Sequence, residues 1–247
     1  MPRGKPGEGM DETTLQPDGS EADLSRRAAI GRERRARTRA KVVAAAFEIF
    51  GDENGLYSRV EDISARAGIT RATFYNHFTG MDDLREAVSH EVTHDFLLAV
   101  TRTINQLADP RLRAAAAMRF YLARARDDQR WAWSMVNVSA GGPFLGAETF
   151  RQAELTVREG IEAGVFALPS SALGRDLILG TVVAAMTTLL REAMPADYPE
   201  QVAEHILLGL GVPGDAASAI VRLAMPPLAD PGEGADEPLP FAGVDIA

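Results

Sequence analysis

Across residues 33–210 apolar side chains recur at three- and four-residue spacing, strand-like alternation is absent, and Gly or Pro stands at most of the breaks. That pattern predicts an all-α chain. A first helix is expected over residues 33–51, with Val43, Ala46, Phe47 and Phe50 on one face. Ser58 followed by Glu61 reads as a capping box for a second helix through Ala67, and Thr70 as the cap of a third that ends near His77. Thr79 and Gly80 open a fourth, whose first turn carries Asp82 and Asp83 where the helix dipole favours acids. It is long, reaching Leu107, and Asp109-Pro110 starts the next with proline at the first helical position.

Further helices are expected over residues 110–126, 128–139, 145–163, 171–193 and 199–210, with a short one at 215–224. The 171–193 segment is apolar nearly all round, and the 199–210 segment repeats the pattern, so both must be buried on several sides. Packing against symmetry mates would satisfy this, in a homodimer whose interface holds Leu177, Val182, Met186, Leu189, Val202, Ile206, Leu207 and Leu210. The alternative is that both helices lie at the centre of the monomer. Residues 1–24 and 226–247 are rich in Gly, Pro and acids without apolar periodicity, and disorder is expected there. Between them, two domains are expected, over residues 25–80 and 81–225.

Composition narrows the function classes. The absence of cysteine removes disulfides, thiolate nucleophiles and cysteine-ligated zinc. The apolar run at 177–190 is shorter than a bilayer requires and the first nine residues hold no apolar block, so a cytoplasmic protein with no membrane partner is expected. A net charge of −9 conflicts with phosphate binding until its distribution is considered. Residues 25–85 hold 12 Lys and Arg against 8 Asp and Glu, a surplus of four positive charges, which leaves the remainder at −13. Arg26, Arg27, Arg32, Arg34, Arg35, Arg37, Arg39 and Lys41 crowd one arm, opposed only by Glu33.

The second and third helices form a helix-turn-helix, with Ala67 at the crossing and Gly68 in the turn. Ile63, Ala67, Phe74 and Phe78 are spaced to face inward. Arg71, Ala72, Thr73, Tyr75, Asn76 and His77 are left outward, and all but Ala72 can hydrogen-bond to bases or phosphates. The run Asp62-Ile63-Ser64-Ala65-Arg66-Ala67-Gly68-Ile69-Thr70-Arg71-Ala72-Thr73-Phe74-Tyr75-Asn76-His77-Phe78 resembles the signature of the TetR family of one-component transcriptional regulators. The motif covers roughly residues 34–90; the rest is similar in pattern only. The resemblance implies an all-α homodimer with an N-terminal three-helix DNA-binding domain and a larger C-terminal domain for a small effector, acting as a repressor released from a palindromic operator. It implies base contacts from Arg71, Thr73 and Asn76, with Ala72 against a thymine methyl, and phosphate contacts from Tyr75, His77 and Ser58. Thr70 at the helix start joins this set, as do Arg34 and Arg37 of the arm. Met81 stands where the family usually has a phosphate-binding lysine, which shifts anchoring to the arm and the helix end.

A ligand pocket should be mostly apolar with a few orienting polar groups. The candidates are Phe96, Met118, Tyr121, Trp131, Trp133, Met135, Asn137, Phe144 and Met186, with Arg119 as partner for an acidic group. They point to an apolar or aromatic small molecule. His90-Glu91-Val92-Thr93-His94 matches H-E-x-x-H, in which two histidines one turn apart bind zinc and the glutamate acts as base. A zinc hydrolase on that motif is one competing reading and a helical protein adaptor the other. The sequence offers no third ligand beyond scattered acids such as Asp95, Asp109, Asp127 and Asp128, and no phosphate loop or nucleophile elbow. No cofactor, metal or catalytic activity is therefore expected.

Overall fold

The computed structural model describes residues 19–140 and 145–230. The expected disorder of residues 1–18 and 231–247, the break at Gly141-Gly142-Pro143, and Phe144 lie outside the described residues. Those described form helices joined by turns: α1 Gly19–Phe50, α2 Val60–Ala67, α3 Arg71–Tyr75, α4 Met81–Asn105, α5 Pro110–Asp127, α6 Gln129–Ser139, α7 Ala147–Glu162, α8 Ser171–Arg191, α9 Tyr198–Gly209 and α10 Gly214–Val221, with a 3₁₀ turn at Gly55–Tyr57. The boundaries follow the caps. Thr70, Asp109, Asp128 and Ser170 each accept a backbone N–H at the start of α3, α5, α6 and α8.

Two local expectations are corrected. Helix α1 begins at Gly19 rather than at residue 33: residues 19–32 include good helix formers such as Glu21, Ala22, Leu24, Arg26, Arg27, Ala28 and Ala29 but no apolar stripe, so periodicity gave no sign of them. The cap of α2 is displaced by one residue from the Ser58/Glu61 pair: the Asp62 carboxylate accepts from Arg59 N at 2.8 Å, and Ser58 Oγ instead donates to Gly55 O at 2.7 Å. Gly68 closes α2 at φ 62°, a left-handed conformation that glycine adopts without Cβ strain.

The chain forms two compact units, residues 1–40 and 41–247. In the first, the described side chains of α1 are mostly exposed, and Arg37 pairs with Glu33 at 3.2 Å. The second holds two hydrophobic clusters. Phe50, Ile63, Ala67, Phe74 and Phe78 gather with Leu84 and Val88 of α4 and Val138 of α6. The larger cluster is built on α5, with Trp131 and Met135 of α6, Val157 of α7, Ile178, Val182 and Met186 of α8, and Ile206, Leu207 and Leu210 of α9. Val100 and Ile104 bring the far half of α4 into it. Buried Asn137 joins α6 to the end of α1, its Nδ2 donating to both Phe50 O and Asp52 O at 2.8 Å.

Burial divides the expected dimer contacts. Val182, Met186, Ile206, Leu207 and Leu210 are no more than 2 % exposed within the single chain, so they cannot face a partner. Leu177, Leu189 and Val202 are only partly covered, and the exposed large apolar side chains of these helices are Leu173 and Leu208. Helix α8 is long and apolar enough to cross a membrane by length and composition, but it packs on α5, α6, α7 and α9. Residues 226–230 have no regular secondary structure, yet Ala229 N donates to Thr103 Oγ1 at 2.9 Å and Arg102 of α4 donates to Asp230 O.

Replacing Asn137 with Ala leaves two carbonyls without their donor and should cost about 1–3 kcal/mol in denaturant unfolding. Tyr121 is buried, its hydroxyl 2.8 Å from Thr149 Oγ1, and burial pushes its phenol up to about 12. The raised folded value means its contribution to stability is intact below pH 10 and is lost as pH rises toward 12. Difference absorbance of wild type and Tyr121→Phe should place this phenol's ionisation well above the ordinary tyrosine value.

Candidate DNA interface and effector cavity

Packing aims the reading face. Phe74 is fully buried with its ring tilted 37° against that of Phe78 at 5.5 Å, which locks the five-residue helix α3 against Ile63 and Phe50. Its opposite side is therefore outward: Arg71, Ala72, Tyr75 and Asn76 are exposed, and Thr73 and His77 half-buried. Tyr75 stands 51 % exposed, edge-on to Phe74. Arg71 pairs with Glu61 of α2 at 2.9 Å, with both side chains more than half exposed. Such a surface pair is worth at most about 1 kcal/mol, so Glu61 steadies the guanidinium without burying or committing it. Thr70 is occupied as the α3 cap, accepting from Thr73 N at 3.1 Å, and its hydroxyl also meets Thr73 Oγ1 at 2.9 Å. Ser58 is half-buried and turned to Gly55 O. Met81 packs on the small cluster instead of facing outward as a cation would. Tyr57, 77 % exposed in the 3₁₀ turn, escaped the sequence reading because nothing in its neighbourhood marks an exposed tyrosine.

A narrow cavity of about 50 Å³ lies between α4, α5, α7 and α8, under Leu97, Val100, Ile104, Ala114, Met118 and Leu179. Of the proposed effector residues it brings together only Met118 and Tyr121. Trp131, Met135 and Met186 are core, filled round by neighbours, with Trp131 packed against Tyr121 and Phe96. Phe96 is packed between Tyr121, Trp131 and the Arg124 guanidinium. Trp133 lies under Arg191 instead, at 5.6 Å. Asn137 is spent on the backbone at the end of α1, and Arg119 on Glu200 at 2.8 Å and Leu223 O at 2.9 Å. Sequence reasoning chose large aromatic residues, whereas the cavity wall is made by smaller side chains that leave space.

Three polar atoms on the described wall residues lack partners, while Tyr121 and Thr149 pair with each other. Thr101 Oγ1, Arg113 Nε and Gln152 Oε1 are buried and, among the described residues, make no hydrogen bond. Arg113 is otherwise paired with Glu159. Each such atom costs free energy that a ligand hydroxyl or water could recover. Leu97, Leu145 and Thr149 line this cavity on one side and a polar cleft of about 770 Å³ on the other, where Asp83, Glu86, His90, Glu148 and Arg151 are found.

Comparison with known proteins agrees with this division. Residues 42–88 match the model of bacterial regulatory proteins of the tetR family, and residues 109–223 match the tetracyclin repressor-like C-terminal domain. No curated protein sequence matches the chain. Among solved structures it is similar to RolR bound to resorcinol, at 23 % identity and TM-score 0.66, over 80 % of this chain and 99 % of that one. RolR without ligand gives 22 % identity and TM-score 0.62 over 77 % and 100 %. FadR from Bacillus subtilis, in complex with stearoyl-CoA, gives 20 % and 0.53 over 71 % and 98 %. The two family matches meet the two parts of one fold, a helix-turn-helix with its reading face outward and a helical body with a cavity beside α4, and the chain belongs to the TetR family of DNA-binding transcription regulators.

Proposed function

We propose that the protein is a homodimeric repressor that leaves a palindromic operator when a small, largely apolar molecule bearing hydroxyl groups enters the cavity beside α4. The observation that carries the effector side is the pair of unpartnered polar atoms, Thr101 Oγ1 and Gln152 Oε1, on residues of a mostly apolar wall. RolR, the relative that holds resorcinol, supports a hydroxylated ring. The cavity is smaller than the roughly 300 Å³ or more usual for bound ligands, so an effector must push its walls apart. Leu97, Val100, Thr101 and Ile104 of that wall belong to α4, whose other end carries Leu84 and Val88 in the cluster beneath the reading helix. Effector binding thus selects an α4 position in which paired recognition helices no longer match major grooves about 34 Å apart.

The partly covered and exposed residues of α8 and α9, Leu173, Leu177, Leu189, Val202 and Leu208, form the dimer face in this reading. The arm supplies phosphate contacts through Arg34 and Arg37, and Arg71, Thr73 and Asn76 read bases while Tyr75 and His77 hold phosphates. A metallohydrolase and a protein adaptor have no comparable support in the family matches.

Selection from a random duplex pool should return an imperfect palindrome; a pool returned without enrichment would sink the proposal. On the selected operator, Arg71→Ala should cost about 1–3 kcal/mol and relax preference at one position. Arg34→Ala with Arg37→Ala should weaken all sequences alike and reduce the salt slope by roughly 0.9 for each phosphate no longer neutralised. Thr101→Val with Gln152→Leu should leave operator binding unchanged and abolish release by hydroxylated rings, measured by fluorescence anisotropy.

A further inference from the structure

The H-E-x-x-H segment lies in α4, outside the helix-turn-helix, and the fold brings a third group to it. His90 and His94 stand one turn apart on α4, their rings stacked with centroids 5.1 Å apart and planes 17° from parallel. Glu148, the second residue of α7, supplies the third group that the sequence did not reveal: one nitrogen of each imidazole and a carboxylate oxygen all lie within 4.8 Å of one another. His94 Nδ1 is 3.9 Å from Glu148 Oε2, too far for a hydrogen bond, and this buried nitrogen has no other partner among the described residues.

We propose that His90, His94 and Glu148 bind a divalent transition-metal ion of the zinc class and so bridge α4 to α7. Two imidazoles and one carboxylate suit zinc, whereas magnesium and calcium prefer oxygen donors throughout. Bonds of about 2.0–2.2 Å set tetrahedral ligand atoms about 3.3 Å apart, so the three groups must close by roughly 1.5 Å. None of the three side chains is buried, and rotation of their own torsions supplies that movement. His90 and Glu148 also line the polar cleft, which leaves room for water as fourth ligand. The metal would fix the middle of the helix whose start carries the DNA-reading unit and whose far half lines the effector cavity. The site is independent of the operator reading, and its occupancy is measured without DNA.

The test uses full-length, tag-free protein stripped with a chelator and dialysed against zinc, with cobalt as a spectroscopic substitute. One zinc per chain is expected, and cobalt should give the intense visible bands of a tetrahedral site. Glu148→Gln and His94→Ala should each lower affinity on the order of 100-fold, with unchanged helical circular dichroism. His205→Ala, on α9 with Nδ1 already bonded to Gln201 O at 2.8 Å, should change nothing. Zinc at about 100 times its Kd should raise the unfolding temperature by about 5–10 °C in wild type and not in Glu148→Gln. A stripped protein that takes up no zinc, or full affinity in either ligand variant, overturns the site.

Discussion

The structure depends on one constraint: α4 is buried in two cores at once. Leu84, Ala87 and Val88 close the cluster under the helix-turn-helix, and Val100 and Ile104 enter the core of the larger helical body. A helix of 25 residues spans about 37 Å and resists bending, so neither core can repack around α4 without moving the part seated in the other. Arg85 and the amide of Asn137 add polar ties at the near end, one reaching Leu56 O, the other Phe50 O and Asp52 O.

That shared helix explains how a short recognition element is held and how it could be governed. Five residues of α3 would not form a stable helix alone; Phe74 and Phe78 hold them by burial, and the Thr70 cap satisfies the first turn. The other end of the same arrangement is a cavity with unmet hydrogen-bonding groups, one wall of which is α4. Between the two cores lies the polar stretch around His90 and His94, beside Glu148 of α7. A ligand at either place acts on a helix that has little freedom except to shift as a body.

Much of the site was legible because local chemistry wrote it. The inner face Ile63, Ala67, Phe74 and Phe78 is buried, as spacing predicted, and Arg71, Tyr75 and Asn76 are exposed on the other side. The caps at Thr70 and Asp109 and the turn at Gly68 are backbone requirements that particular residue types meet. What failed was inference about which large apolar side chains border space. Trp131, Met135 and Met186 fill the core while Ala114, Thr101 and Gln152 border the cavity, because emptiness depends on the fit of four helices and leaves no mark on any one of them. The expected dimer contacts met the same limit: Val182, Ile206 and Leu207 are buried within the single chain, and periodicity cannot distinguish a neighbour in the same chain from one in another.

The sequence by itself determined most of the helices, the caps at Thr70 and Asp109 and the two-sided character of the DNA-reading unit, since propensity, periodicity and capping act over a few residues. Only the tertiary structure decided which groups share a space: the cavity wall drawn from four helices, the Asn137 clamp across 85 and 87 positions of chain, and Glu148 brought to a histidine pair on another helix. Those juxtapositions come from close packing of whole helices, a long-range property that residue spacing along one segment does not encode.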